Sequence, residues 1–123
     1  MDEKLAVEAL GALAQDTRLR VFRLLMEAGP EGLPAGEIAR RLGTPGNTMS
    51  THLAILTRAG LLHSKREGRV VAYAAAIPGV RNLIAFLVEQ CCGGRPDDCA
   101  SLLDAALPLG CCPSSAGAAG SAL

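Results

Sequence analysis

The stretch EIARRLGTPGNTMSTHLAILTRAG, residues 37–60, contains two helical patterns that are separated by only a few residues. Gly43 ends the first pattern, and Thr44 and Pro45 are predicted to be the N-cap and first residue of a second helix over about 45–59. Apolar residues recur at helical spacing on one side of each pattern. These inward residues are Ile38, Ala39 and Leu42 in the first helix, and Met49, Leu53 and Leu56 in the second. The sequence therefore predicts two helices joined through a tight turn at Gly43–Thr44.

The opposite side of the second helix is polar and mostly uncharged. Its candidate contact residues are Thr48, Ser50, Thr51, His52 and Arg58, with Ile55 as one apolar residue able to touch a thymine methyl group. A surface of this composition suits the edges of base pairs. Two other interpretations stay open: His52 can lie on the helix surface without touching a base, and the three hydroxyl residues can be ordinary surface side chains.

Two further helices are predicted before this pair, over residues 3–14 and over TRLRVFRLLMEAG. Asp16 is the expected N-cap of the second of them, an Arg23–Glu27 pair is expected at i,i+4, and Gly29-Pro30 should stop it. The segment LPAGEIARRLG, which includes the first helix of the pair, should then form one short helix. The apolar stripes are Leu5, Ala9, Leu10 and Leu13 in the first helix, and Leu19, Phe22, Leu25 and Met26 in the second.

Two β-type runs, LLHSKRE and RVVAYAAA, follow the helix pair, and Gly68 between them can supply the positive φ of a tight hairpin. Pro78 should open a fifth helix, and Pro96-Asp97 can start a sixth. The fifth helix carries the stripe Val80, Leu83, Ile84, Leu87 and Val88, which Cys91 extends. This order predicts a mainly α fold with a small β-hairpin, a winged helix-turn-helix, in which the second helix of the pair enters the DNA major groove.

Charge is distributed unevenly along a chain whose net charge is zero. Residues 38–73 hold six basic residues and one acid, Glu67, which is a net charge of +5. One face built to meet an anion would explain this segregation. Arg58 and Lys65 are predicted to contact phosphate, and Arg66 and Arg69 phosphate or the minor groove. Arg18 and Arg20 lie outside the basic segment and are expected to be solvated or ion-paired.

At 123 residues the chain is long enough for one small domain. We expect a domain over residues 1–107 and a flexible Gly-, Ala- and Ser-rich tail over 108–123. Apolar runs are too short to span a bilayer, and the N-terminus lacks the pattern of a signal peptide. A cytoplasmic protein is therefore expected, and in a reducing compartment clustered cysteines indicate metal binding or catalysis before disulfides.

All five cysteines lie in the C-terminal third: Cys91, Cys92, Cys99, Cys111 and Cys112. A thiol enzyme is disfavoured, because no His or Lys near these residues would activate a thiolate and both histidines belong to the DNA-binding half. Cys91 taken alone can be a buried core residue, since it continues an apolar stripe. The adjacent pair followed by Cys99, with the Gly93-Gly94 bend between them, is better explained as a set of soft thiolate ligands.

Four segments together resemble ArsR-type metalloregulatory repressors, over about residues 8–88: ALAQDTRLRVFRLLMEAG, EIARRLG, STHLAILTRAGLL and REGRVVAYA. The most specific matches are Ser50-x-His52-Leu53, Ala59-Gly60-Leu61-Leu62 and Arg66-Glu67-Gly68-Arg69. The resemblance implies a homodimer that binds palindromic double-stranded operator DNA and leaves it when an inducer binds. It also implies that the first and last helices form the dimer interface.

Inducer sites differ within this family. One group has cysteines in the helix corresponding to residues 35–42, where this chain has none, and a zinc-sensing group has His and acidic ligands on the last helix, where this chain has only Glu89. The Cys91-Cys92-x6-Cys99 pattern is similar to the group that senses trivalent arsenic. The resemblance thus implies As(III) as inducer, with Sb(III) as a chemical analogue. Two other signals stay open: a cadmium or lead sensor, in which Cys111 or Cys112 could supply an additional ligand to cadmium, and a thiol-redox switch. Cys111 and Cys112 can also be a dispensable pair in the tail.

Overall fold

The computed structural model describes residues 1–88 of the chain. In chain order the elements are α1 (Glu3–Leu13), α2 (Asp16–Ala28), β1 (Leu33–Pro34), α3 (Ala35–Leu42), α4 (Gly46–Arg58), β2 (Leu62–Glu67), β3 (Val70–Ala75) and α5 (Ile77–Val88). This is the predicted winged helix-turn-helix order, with α3 and α4 as the helix pair and β2–β3 as the wing. The expected sixth helix, the domain boundary at residues 107 and 108, the tail and all five cysteines lie outside the described residues.

The wing is part of a three-stranded antiparallel sheet with the strand order β1-β3-β2. Glu67 pairs with Val70, so the loop of the hairpin contains only Gly68 and Arg69, and Gly68 has the expected positive φ of 66°. The prediction of one helix from Leu33 onward was wrong at its start. Leu33 and Pro34 instead pair with β3, because proline disfavours a helical conformation in the residue that precedes it.

Two predicted N-caps are displaced by one residue each. Gln15 rather than Asp16 caps α2, and its side-chain oxygen accepts from the backbone N–H of Arg18 at 2.8 Å. Pro45 rather than Thr44 precedes α4 with an extended backbone, while the Thr44 hydroxyl donates to the carbonyl oxygen of Leu42. Gly43 ends α3 in the left-handed conformation, as its position in the turn requires.

The helix pair is anchored by the inward residues that its periodicity predicts. Ile38 and Ala39 are buried in α3 and Leu42 is half-buried. Met49, Leu53 and Leu56 of α4 are fully buried, together with Val21 and Leu25 of α2 and Leu61 after α4. No polar or charged side chain is buried within residues 1–88. The core that fixes the orientation of α4 is therefore aliphatic, apart from the methionine.

The two outer helices bury only part of the stripes predicted for them, namely Ala9 in α1 and Leu83 in α5. Helix α1 packs through Ala6, Ala9 and Ala12, whereas its neighbours Val7 and Leu10 are 62% and 42% exposed. Along α5 only Leu83 is buried, and Ile84 is 49% exposed. In α2, Leu19 and Met26 are also exposed, and the predicted Arg23–Glu27 pair is absent from the ion pairs of residues 1–88. Helical spacing defines a face, but the small alanine side chains allow α1 to approach the core more closely than leucines would.

The start of α5 lies directly against the end of α4. A Cβ atom built on Gly79 would lie 1.8 Å from the carbonyl oxygen of Gly60, so only glycine fits at this position. Close by, the backbone N–H of Ala76 donates to the carbonyl of Leu61 at 2.9 Å. The C-terminal end of α4 and the N-terminal turn of α5 are thus held together backbone to backbone.

Candidate nucleic-acid interface

Helix α4 presents the predicted polar residues on the side opposite its buried face. The side chains of Thr48, Ser50, Thr51 and Arg58 are exposed, and those of His52 and Ile55 are half-buried. We call this side, with these six residues, the polar face of α4. It is held in place by contacts of α4 with α1, α2, α3 and β2. A polar helix face on a rigid apolar base can enter a groove without rearrangement of the core.

Two of the hydroxyl groups on this face are turned toward their own helix. Ser50 Oγ donates to the carbonyl of Gly46 at 3.0 Å, and Thr51 Oγ1 donates to the carbonyl of Asn47 at 3.4 Å. Both oxygens keep lone pairs that can accept from a base amino group. Such local bonds break easily, since a hydroxyl can rotate to a new partner. Thr48 makes no side-chain hydrogen bond to the rest of residues 1–88.

His52 has an unexpected partner in Arg18 of α2. The Nη1 atom of Arg18 donates to Nδ1 of His52 at 3.4 Å, and its Nε donates to the carbonyl of Ala12 at 2.7 Å. Both side chains are half-buried. The expectation that Arg18 is solvated or ion-paired was therefore wrong. The two residues are 34 positions apart, and helical periodicity carries no signal over that distance.

The positive charge of the helix pair is smaller than the sequence count indicates. Glu37 lies one residue before the basic segment 38–73, and its carboxylate accepts from both Arg40 and Arg41, the latter at 2.7 Å. These i,i+3 and i,i+4 pairs follow from helix geometry, since α3 begins at Ala35 and places all three side chains on adjacent turns. The first helix of the pair thus keeps a net charge of +1 from these three side chains, and both of its arginines are already paired.

The basic side chains of α4 and the wing remain available. Arg58, Arg66 and Arg69 are exposed and form no ion pair within residues 1–88. Arg66 is on β2 and Arg69 is in the hairpin loop, so both extend from the tip of the wing. Lys65 is half-buried, and its Nζ donates to the carbonyl of Pro30 at 2.8 Å, which leaves two N–H groups for another acceptor. The structure thus brings the predicted basic contact residues onto α4 and the adjoining hairpin.

The predicted metalloid ligands lie beyond this region of the chain. Cys91, Cys92, Cys99, Cys111 and Cys112 are all outside the described residues. Within residues 1–88 no group of three His, Cys, Asp or Glu side chains could hold a metal ion. Across the same part of the chain, every helix is too short or too polar to cross a membrane.

Comparison with known proteins agrees with this architecture. Residues 13–65 match a family model described as a helix-turn-helix domain. The transcriptional activator HlyU of Vibrio cholerae is 32% identical over 87 residues, which cover 71% of this chain and 78% of that protein. A putative arsenical resistance operon repressor, ArsR, of Halobacterium salinarum is 34% identical over 80 residues, which cover 65% of this chain and 61% of the repressor.

A solved structure leads to the same group of proteins. The homodimeric winged helix-turn-helix DNA-binding domain of Mb0332 from Mycobacterium bovis, described as a possible ArsR-family transcriptional regulator, is 25% identical and superposes with a TM-score of 0.58. The match covers 75% of this chain and 85% of that domain.

These findings and the geometry of α4 and the wing define a winged helix-turn-helix DNA-binding transcriptional regulator. The chain belongs to the ArsR family of such regulators, which confirms the family predicted from the sequence. The three relatives named above all carry names of transcriptional regulators.

Proposed function

We propose that this protein is a homodimeric repressor that leaves its operator when trivalent arsenic binds Cys91, Cys92 and Cys99. The observation that carries the proposal is the backbone contact between α5 and α4 at Gly79 and Gly60. The cysteine pair follows α5 by only three residues in the sequence. A ligand that changes the C-terminal end of α5 can therefore act on the helix that reads DNA.

DNA binding in this proposal uses the polar face of α4 for bases and the wing for backbone. The hydroxyl and imidazole groups of that face can exchange hydrogen bonds with base edges in the major groove. Arg58, Arg66 and Arg69 supply charge to phosphates, and they carry affinity and its salt dependence. In a dimer the two α4 helices would contact half-sites about 34 Å apart, one turn of the DNA.

Dimerisation is supported by apolar side chains that a single chain leaves exposed. Val7 and Leu10 of α1 and Ile84 of α5 are each more than two-fifths exposed, although residues of this kind are normally buried. Helices α1 and α5 are also the two that the family resemblance assigns to the interface. The M. bovis relative is described as a homodimer. A second copy of the chain would cover these side chains.

Trivalent arsenic suits the proposed donor set. The ion is soft and pyramidal, with a lone pair on one side, so three thiolates complete its coordination. Soft sulfur ligands also discriminate against hard ions such as magnesium and calcium. Each arsenic–sulfur bond replaces an arsenic–hydroxide bond of arsenous acid, and the thiol proton leaves with that hydroxide as water. Antimony in the same oxidation state has the same requirements.

Release from DNA then needs only a modest coupling between the two sites. A change at the end of α5 can alter the dimer interface and, through the contact of Gly79 with Gly60, the tilt of α4. Coupling free energies between such sites are typically about 1–3 kcal/mol, and the upper value lowers operator affinity more than about a hundredfold. This range is sufficient for induction.

The test measures DNA release by arsenite in cysteine variants. The probe is the duplex that the wild-type protein selects from a random-sequence library, followed by fluorescence anisotropy. Single Cys91→Ser, Cys92→Ser and Cys99→Ser variants should bind the duplex like wild type but stay bound in arsenite. The Cys111→Ser/Cys112→Ser double variant is the matched control and should still be released.

Other inducers are separated in the same assay. If cadmium or lead releases the protein and arsenite does not, the inducer is a divalent ion, and for cadmium Cys111 or Cys112 could supply an additional ligand. Release by peroxide alone would identify a thiol-redox switch. If all three single variants dissociate normally in arsenite, Cys91, Cys92 and Cys99 are not the sensor. Counting the sulfur atoms around bound arsenic by X-ray absorption distinguishes three ligands from two.

A further inference from the structure

We propose that Arg18 is a positioning residue for DNA recognition, which holds the His52 ring with its Nε2–H group toward the DNA. The inference rests on the proposed role of α4 as the helix that reads bases. It adds a residue of α2 to the recognition surface and assigns a definite hydrogen-bonding role to the imidazole.

The guanidinium group of Arg18 connects three helices. Its Nε–H donates to the carbonyl of Ala12 in the last turn of α1, at 2.7 Å, and its Nη1 donates to His52 of α4 at 3.4 Å. Arg18 itself lies in the first turn of α2, where its backbone N–H donates to the capping oxygen of Gln15. The Arg18 side chain is half-buried, and two nitrogens of its planar guanidinium group, Nε and Nη1, are held by hydrogen bonds. It therefore has a defined position before DNA arrives.

This contact determines which nitrogen of His52 carries the proton. A guanidinium group has only donors, so Nδ1 of the ring must be the acceptor. In the neutral imidazole the proton then lies on Nε2, and Nε2–H is the group left free to contact DNA. The ring thus offers a donor and no acceptor. In the major groove it can bind N7 or O6 of guanine, N7 of adenine or O4 of thymine, but not the amino groups of adenine or cytosine.

Arg18 differs from the arginines that are suited to phosphate contact. Arg66 and Arg69 are exposed on the wing, whereas Arg18 is half-buried and already donates two N–H groups to protein atoms. Its effect on DNA should therefore pass through His52 and depend little on salt. A direct phosphate contact would instead add about 0.9 to the slope of log affinity against log salt concentration.

A double-mutant cycle separates these two roles, with the library-selected duplex as the probe. Arg18→Met, which keeps the apolar stem and removes the donors, should weaken binding about five- to tenfold. In a His52→Ala background the same change should alter binding by less than about twofold. The salt slope should stay at the wild-type value. Arg20→Met, at an exposed arginine of the same helix, is the matched control and should bind like wild type.

Conservative variants supply a second readout. His52→Gln can place an amide donor near the position of Nε2–H, whereas His52→Asn places one near Nδ1. His52→Gln should therefore retain most of the affinity, His52→Asn should lose it, and Arg18→Met should have little further effect in the glutamine variant. Arg18→Lys keeps the charge but not the fork, so it should bind as weakly as Arg18→Met. Thermal unfolding checks that each variant is folded. If Arg18→Met does not fold, Arg18→Lys takes its place in the double-mutant cycle.

The inference is overturned if Arg18→Met is silent, if its effect is equal in both His52 backgrounds, or if Arg18→Lys binds like wild type. A salt slope reduced by about one would identify a phosphate contact instead. Failure of the proposed function gives a different result. If α4 does not read DNA, Thr51→Val and Arg58→Gln would also leave DNA binding unchanged, whereas these two variants should still weaken binding if only the role of Arg18 is wrong. Arsenite should still release the Arg18 variants, because their thiols are intact.

Discussion

The polar face of α4 and the outer faces of α1 and α5 are both exposed, but they differ in chemistry. The first presents hydroxyl groups, an imidazole and nearby arginines, whereas the second presents Val7, Leu10 and Ile84. Water solvates the first well and the second poorly. A single chain thus exposes two surfaces that suit different partners. The polar surface suits a polyanion, and the apolar surface suits a second copy of the chain.

The largest expected effect comes from charging the apolar surface. A Leu10→Glu/Ile84→Glu double variant should be monomeric, because the interface would bury two carboxylates per chain without partners. Loss of the second half-site contact should lower affinity for the selected duplex by about a hundredfold or more. Analytical ultracentrifugation measures the first result and anisotropy the second.

The matched control for this surface is Leu10→Met/Ile84→Val, which preserves its apolar character. That variant should remain dimeric and bind DNA normally. A glutamate variant that remains dimeric would show that α1 and α5 do not form the interface, whatever its effect on DNA binding.

The second expected effect concerns the basic side chains near the polar face. An Arg66→Gln/Arg69→Gln double variant should bind the duplex about tenfold to a hundredfold more weakly at low salt, with a salt slope smaller by about 2. The reason is that these arginines are exposed and unpaired within residues 1–88. Anisotropy titrations at several salt concentrations measure both quantities.

An Arg40→Gln/Arg41→Gln double variant has the same change in formal charge and should have a much smaller effect, since Glu37 already pairs with both arginines. Glu37→Gln provides the converse control and should strengthen DNA binding slightly at low salt. If the two double variants lost DNA affinity equally, α3 would contact DNA as directly as the wing does.

The smallest expected effect is on stability, at the point where α4 meets α5. Gly79→Ala should lower the free energy of unfolding by about 1–3 kcal/mol, because the added methyl group overlaps the Gly60 carbonyl oxygen. Gly36→Ala is the matched control: it also lies in a helix, and a Cβ there meets no atom within 4 Å. Its helix propensity should raise stability by about 0.5–1 kcal/mol. Urea unfolding measures the change in the free energy of unfolding for both variants. Equal changes would contradict the close contact of Gly79 with Gly60.

Local patterns predicted most of the helix pair and the wing. Gly43 and Gly68 have the positive φ values that the predicted turns require, and the inward residues of α4 are those given by its periodicity. The two-residue strand β1 was missed, because so short a strand is defined by the β3 backbone beside it rather than by its own composition. Spacing gave α1 and α5 apolar stripes, but it did not distinguish side chains that pack in the core from those that stay exposed on a single chain.

The sequence by itself determined the order of the helices and wing strands over residues 1–88, the winged helix-turn-helix class, the polar face of α4 and the clustering of cysteines. These properties depend on residues that are close along the chain. Only the tertiary structure decided that Arg18 contacts His52, that α1 packs through its alanines, and that Gly79 lies against Gly60. Such contacts join distant segments, so they depend on the path of the backbone and on the distances of closest approach, which no local spacing contains.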